Sequence, residues 1–143
     1  MVSAADSLDA LLTASPSALV AAVGPDGRTV PVPRSVVLYG QRAFDGPSGI
    51  DLVVGDDQRL ILDGWMRARE EPAVRIEVHT LCDPDRVSVV SFFDVRDEHG
   101  VHVVVIEAPD PDLVLRFVAE RSTRHVGVGQ IKRDAIATIL DVG

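Results

Sequence analysis

The chain has 143 residues, of which 46% are hydrophobic, and carries a net charge of −8 from 22 acidic and 14 basic residues. That length supports one core with appendages, and the acidic balance, with no basic cluster among aromatics to offset it, argues against nucleic-acid binding. Cys82 is the single cysteine, so an internal disulfide is excluded, and no run reaches the ~18 apolar residues that cross a bilayer. Asp6 and Asp9 stand where a secretory leader would be basic, and a soluble, cytoplasmic protein without a membrane partner is expected.

Residues 1–14 form the first expected element, an amphipathic helix with Leu8, Leu11 and Leu12 on one face. Ser3, Asp6 or Ser7 can cap it, and Pro16 lies beyond its end. A helix this short is marginal alone, so its leucines must dock on the domain's own sheet or on a second copy. Ala18 to Val23 is an apolar run ending at Gly24-Pro25-Asp26-Gly27, a turn signal, and Arg28 to Val32 returns as a second strand. Pro31 and Pro33 lack backbone donors and keep that strand brief and at an edge. From Ser35 to Asp51 the glycines break any long element, and the segment is expected to fold over a sheet face in short turns, a setting suited to a pocket.

Asp56 to Arg69 is the strongest helical pattern, with Asp56 or Asp57 as the cap and Ile61, Trp65 and Ala68 sharing a face. Arg59, Asp63 and Arg67 follow one another at spacings of four as solvent pairs, and Gly64 is explained by simple tight packing, the alternative being close approach to a strand or ligand. Ala73 to Ala108 then reads as three antiparallel strands. Val74, Ile76 and Val78 alternate with Arg75, Glu77 and His79, whereas Val87 to Val95 and Val101 to Ile106 are apolar on both faces and belong at the sheet centre. Cys82 to Asp85 and Asp97 to Gly100 supply the turns, with Gly100 suited to a positive φ. A further helix is expected from Leu113 to Arg121 after Pro111, then a polar joint. Ala137 to Gly143 faintly echoes Ala18 to Gly24, as if residues 110–143 were a linker and the start of a second copy of the fold.

This order of hairpin, glycine-broken segment, acid-capped helix and three-strand meander resembles the PAS family of sensory domains over Ser15 to Pro109. Asp51-Leu52-Val53-Val54, then Asp56-Asp57 and a helix bearing Trp65, is similar to the PAS stretch in which His-Pro-Asp-Asp opens the long helix; the proline is missing, with Gly55 in its neighbourhood. Phe93-Asp94-Val95 and Gly100-Val101 resemble the closing strands. The resemblance, nearest to N-terminal PAS domains of actinobacterial tandem-PAS signalling proteins, implies an α+β fold. Its sheet would be five-stranded and antiparallel, with helices on one face and an N-terminal helix. It further implies a sensor and dimerisation module spanning residues 15–109, signalling to a downstream domain in the same chain, with a diguanylate cyclase output and cyclic di-GMP as the product under control. Haem is disfavoured because the long helix has no histidine, and flavin because Cys82 lies in a late turn rather than in the flavin-type setting.

No catalytic signature is present, and a non-enzymatic module is expected. An acid-base catalyst using Asp94, Glu107 or His102 would have no motif to bring them together. His99 and His102 beside Asp97 and Glu98 do not share a helical face, so no metal site is assigned. His79 is expected to face solvent. The aliphatic walls favour a filled core; the alternative is a slot for an acyl chain or another small apolar ligand, lined by Ile61, Trp65, Val89, Ser91, Val103 and Val105. A homodimer would then pair Leu8, Leu11 and Leu12 with Val90, Phe92, Val104 or Ile106 on the outer sheet face. The competing role is a ligand-free dimerisation spacer.

Overall fold

A computed structural model of the chain describes residues 3–45 and 49–121, without the side chain of Ile50. The expected second copy, from Gln130 to Gly143, lies outside the described residues. The fold is α+β. Helix α1 (Ala4–Ala14) is followed by strands β1 (Leu19–Val23), β2 (Thr29–Val30) and β3 (Arg42–Ala43). Two single 3₁₀ turns lead into helix α2 (Gln58–Ala68) and then the meander β4 (Ala73–Thr80), β5 (Asp83–Val95) and β6 (Val101–Glu107). The β5–β6 connection is a single helical turn, α3 (Arg96–His99), ended by Gly100 at φ +75°. Residues 111–121 form a further helix, α4, the last among the described residues.

The sheet runs β2-β1-β6-β5-β4 with antiparallel neighbours, and β3 adds a sixth strand beside β1. This sixth strand departs from the expected five. Arg42 and Ala43 pair in parallel with Leu19 and Val20, on the edge of β1 that β2 leaves free. β2 stops at Val30 because Pro31 and Pro33 cannot donate to a ladder.

Each face of the sheet has its own core. On one face Leu8 and Leu12 of α1 are buried among Val20, Ala22, Phe93, Val95, Val103 and Val105, worth about 1.5–3 kcal/mol per leucine. On the other, α2 and α4 cover Val74, Val78, Val90, Phe92, Val104 and Ile106. Thus α1 docks on its own sheet, where its leucines meet Val103 and Val105; Val90, Phe92, Val104 and Ile106, expected with them at a dimer surface, lie on the opposite face. Polar bonds reinforce that docking. Ser3 Oγ accepts from Asp6 N at 3.1 Å as the N-cap, Gln41 Nε2 donates to the carbonyls of Leu12 and Ser15, and Tyr39 Oη donates to Asp9 at 2.6 Å. The carboxylate beside it raises the Tyr39 hydroxyl above its usual pKa. Ser15 Oγ completes the set with a bond to Glu107 at 2.9 Å.

The start of α2 differs from expectation. Asp57 precedes the helix, but its carboxylate makes no cap bond and instead crosses to β4, accepting from His79 N at 2.6 Å and from the His79 ring Nδ1 at 2.9 Å. These two bonds, the ring's being the stronger influence, hold the Asp57 carboxyl below its usual pKa. His79 is therefore half-buried and partnered rather than simply solvent-facing. At the other end Arg67 bonds Glu71 at 3.0 Å instead of Asp63.

Candidate ligand-binding site

Between the sheet and α2 lies a cavity of about 230 Å³. Its floor is Ala21 and Val23 of β1, Val78 and Thr80 of β4, Val90 and Phe92 of β5, and Val104 and Ile106 of β6. Ile61, Leu62 and Trp65 form the roof, Phe44, Leu52 and Val53 one wall, and Val114 and Phe117 of α4 another. The spacing of those α4 residues, three apart, turns both toward the sheet. Leu62 is 49% exposed and also lines the cavity, so with Gly27 of the β1–β2 turn and Thr29 of β2 it marks where the cavity meets solvent.

The chemistry of this surface is almost wholly aliphatic and aromatic. Its polar points are Thr29, Thr80, Cys82 and the Trp65 indole, and Thr80 Oγ1 stands 3.5 Å from Cys82 Sγ. Among the described residues neither a carboxylate nor a basic group contributes to the lining. The cavity exists because α2 approaches the sheet unevenly. A Cβ placed on Gly64 would be 3.0 Å from Phe92 and 3.3 Å from Ile76, so the helix rests on β4 and β5 there; toward β1 and β6 the bulk of Trp65 and the α4 wall leave space unfilled.

Of the residues assigned to a slot from sequence, Ile61 and Trp65 are in this lining, whereas Val89, Ser91, Val103 and Val105 are on the α1 face. The four residues assigned to the dimer surface, Val90, Phe92, Val104 and Ile106, take their places in the cavity floor. The exchange has one cause. The β4–β5 hairpin closes with Thr80 opposite Asp83, but the register shifts between His79 and Thr80, and from His79 onward the pairs are His79 with Val87 and Ile76 with Val90. An odd shift moves every later side chain of β5, and of β6 paired to it, to the other face. No residue type announces that irregularity, so the sequence alone does not fix which alternate residues of β5 and β6 face α2.

A second polar cluster lies beside the cavity. His102 is buried, with its Nε2 3.0 Å from the Ala68 carbonyl at the end of α2 and 3.8 Å from Asp94 Oδ1. Its ring meets Trp65 edge-on at 4.7 Å between centroids. Because Nε2 faces a carbonyl it carries the proton, which leaves the buried Nδ1 without a partner among the described residues. Asp94 is held by Arg96, whose guanidinium keeps the carboxyl below its usual pKa. Glu107 is elsewhere, bonded to Ser15, so the three residues of the acid-base alternative do not converge. His99 and His102 also separate, since His99 Nδ1 bonds Ser35 Oγ at 2.8 Å on the exposed surface. Among the described residues no group of three or more His, Cys, Asp or Glu could hold a metal ion, and no helix is long and apolar enough to cross a membrane.

Comparison of the sequence with protein-family models found no match, and a search of curated proteins found none either.

Proposed function

We propose that the chain is a PAS-like regulatory module that takes a small apolar ligand between α2 and the sheet and passes its state to another domain, pairing with a second copy as it does so. The observation that carries this reading is the apolar cavity of about 230 Å³ with a mouth at Leu62. The order of hairpin, long helix and three-strand meander supports the PAS-like part of it. The size and lining of the cavity define the ligand class. An engineered apolar cavity of about 150 Å³ stays dry and admits benzene, so this one suits a substituted single ring or a medium-length acyl chain. Four polar points orient such a ligand without paying for the burial of a charge. α4 is the element through which occupancy would leave the domain, because Val114 and Phe117 touch the cavity and the chain continues beyond them.

Trp65 is the only tryptophan and lines the cavity, so its fluorescence reports occupancy directly. Octanol and toluene should each change Trp65 emission and raise the melting temperature, and Val104→Phe, which fills the floor, should abolish both responses while remaining folded. Native mass spectrometry of protein taken from cells should show a retained apolar mass. Bare polypeptide together with unchanged emission in both titrations would reject the sensor and leave a ligand-free dimerisation spacer.

A further inference from the structure

The open edge of β4 is a self-complementary strand, and we propose that a second copy of this chain pairs with it in antiparallel fashion, Ile76 opposite Ile76, to continue the sheet across a two-fold axis. The inference rests on the dimerisation half of the functional reading and is independent of what the cavity binds.

Among the described residues β4 ends the sheet order, with β5 on one side only. Its far end is already covered. Val54 N donates to the His79 carbonyl at 2.9 Å, Leu81 N donates to the Leu52 carbonyl at 2.9 Å, and His79 N donates to Asp57 at 2.6 Å. These bonds fix which way the strand's polar groups point, since both backbone groups of His79 face away from β5. Register is unbroken from Ala73 to His79, and backbone direction alternates along a strand. Arg75 and Glu77 therefore also turn their N–H and C=O groups to the open edge, where no described residue pairs with them. Ile76 and Val78 turn theirs to β5.

The side chains match the same axis. Val74-Arg75-Ile76-Glu77-Val78 reversed on itself brings valine to valine, Arg75 to the partner copy's glutamate and Glu77 to its arginine. Arg75 and Glu77 are exposed and lie on one face, within 3.6 Å of each other. In this register the two outward-facing residues are directly opposite their counterparts, which is the geometry of a doubly hydrogen-bonded antiparallel pair. Four backbone bonds form where none exists, flanked by two cross-strand ion pairs. Any register shifted by two residues opposes like charges or runs into the covered His79. Charges along an edge ordinarily discourage pairing; here they permit one alignment. Leu60, 41% exposed and one turn from Gly64, which packs on Ile76, is apolar surface on the helix that lies against β4. The contact is isologous, as a closed dimer requires.

Charge exchange separates this arrangement from any role of the two residues within one chain. Arg75→Glu places glutamates opposite glutamates and Glu77→Arg places arginines opposite arginines, and each variant alone should raise the dimer dissociation constant by about tenfold or more in sedimentation equilibrium. An equimolar mixture of the two should form a heterodimer, because each strand then faces only its opposite charge, although the like-charged pair inside each chain is unrelieved. Glu77→Pro should also leave a folded monomer, since the donor it removes points to the open edge and not to β5. A wild-type chain that stays monomeric, single variants that dimerise as tightly as wild type, or a mixture that stays monomeric would each overturn the proposal. A retained ligand in native mass spectra bears only on the cavity, so the two readings fail separately.

Discussion

The two faces of the central sheet are built from similar residues and end in different states. On the α1 face, alanines and valines of β1 and β6 receive Leu8 and Leu12 at close range, and those leucines are 3% and 1% exposed. On the α2 face, valines, Ile106 and Phe92 meet a helix that touches down at Gly64 and Ala68 and leaves about 230 Å³ open beside Trp65. Composition therefore does not decide whether an aliphatic surface becomes core or cavity. The helix contact does: α1 presents slender leucines along one stripe, while α2 combines a glycine, which lets it descend, with an indole and a second helix, which hold the neighbouring region apart. A cavity that remains next to a close contact is held by rigid supports, as densely packed interiors do not otherwise tolerate such voids.

Overpacking gives the largest expected contrast between the faces. Val103 and Val104 are neighbours on β6, both buried, one on each face. Val103→Phe forces a ring into the filled α1 core and should lower unfolding free energy by about 3 kcal/mol, the upper end of overpacking costs. Val104→Phe enters the cavity and should cost less than about 1 kcal/mol, because the ring occupies space that holds no side chain. Urea unfolding of the two variants side by side checks this; equal losses would mean that the α2 face has no usable room.

This adjacent pair also explains how much was legible in the sequence. Alternation in Val74, Ile76 and Val78 against Arg75 and Glu77 marked the buried face of β4, and the 3.6-residue spacing of Ile61, Trp65 and Ala68 marked the face of α2. Gly64 carried its own explanation. β5 and β6 are apolar on both sides, so their parity depended on the turn, and the register shift at His79 has no compositional signature. Ile61 and Trp65 line the cavity, while the strand residues expected beside them, Val89, Ser91, Val103 and Val105, lie on the other face. β3 was illegible for a related reason: two residues, Arg42 and Ala43, become a strand only because β1 has a free edge beside them. The docking of α1 depended on Gln41 and Tyr39, whose bonds to the helix are long-range and leave no periodic trace.

The helices are also anchored differently, and pH separates the anchors. Gln41 ties α1 through a neutral amide, whereas Asp57 ties the start of α2 through a carboxylate bonded twice to His79. The folded-state pKa of Asp57 lies below its unfolded value of about 3.9. Its contribution is therefore fully present above that unfolded value and is lost as pH falls through the folded one. Asp57→Asn should cost about 1.5–3 kcal/mol near neutrality. The gap to wild type should close as pH drops below about 4, while a Gln41→Ala gap stays flat across the same range. Parallel pH profiles for the two variants would remove the distinction between the anchors.

The smallest effect concerns the contact that sets the height of α2. Gly64→Ala gains about 1 kcal/mol of helix propensity, and its new methyl arrives 3.0 Å from the Phe92 ring and 3.3 Å from Ile76. One of those neighbours must give by a few tenths of an ångström. Phe92 can, because its ring borders the cavity and can tilt into it. The propensity gain should then survive in part, with a net stabilisation below about 1 kcal/mol, and the cavity should contract. Toluene would bind more weakly to Gly64→Ala than to wild type even though the variant melts higher. That opposed pair of changes is what a support for an empty space predicts; a glycine kept only for close packing in a filled core would lose stability on gaining the methyl.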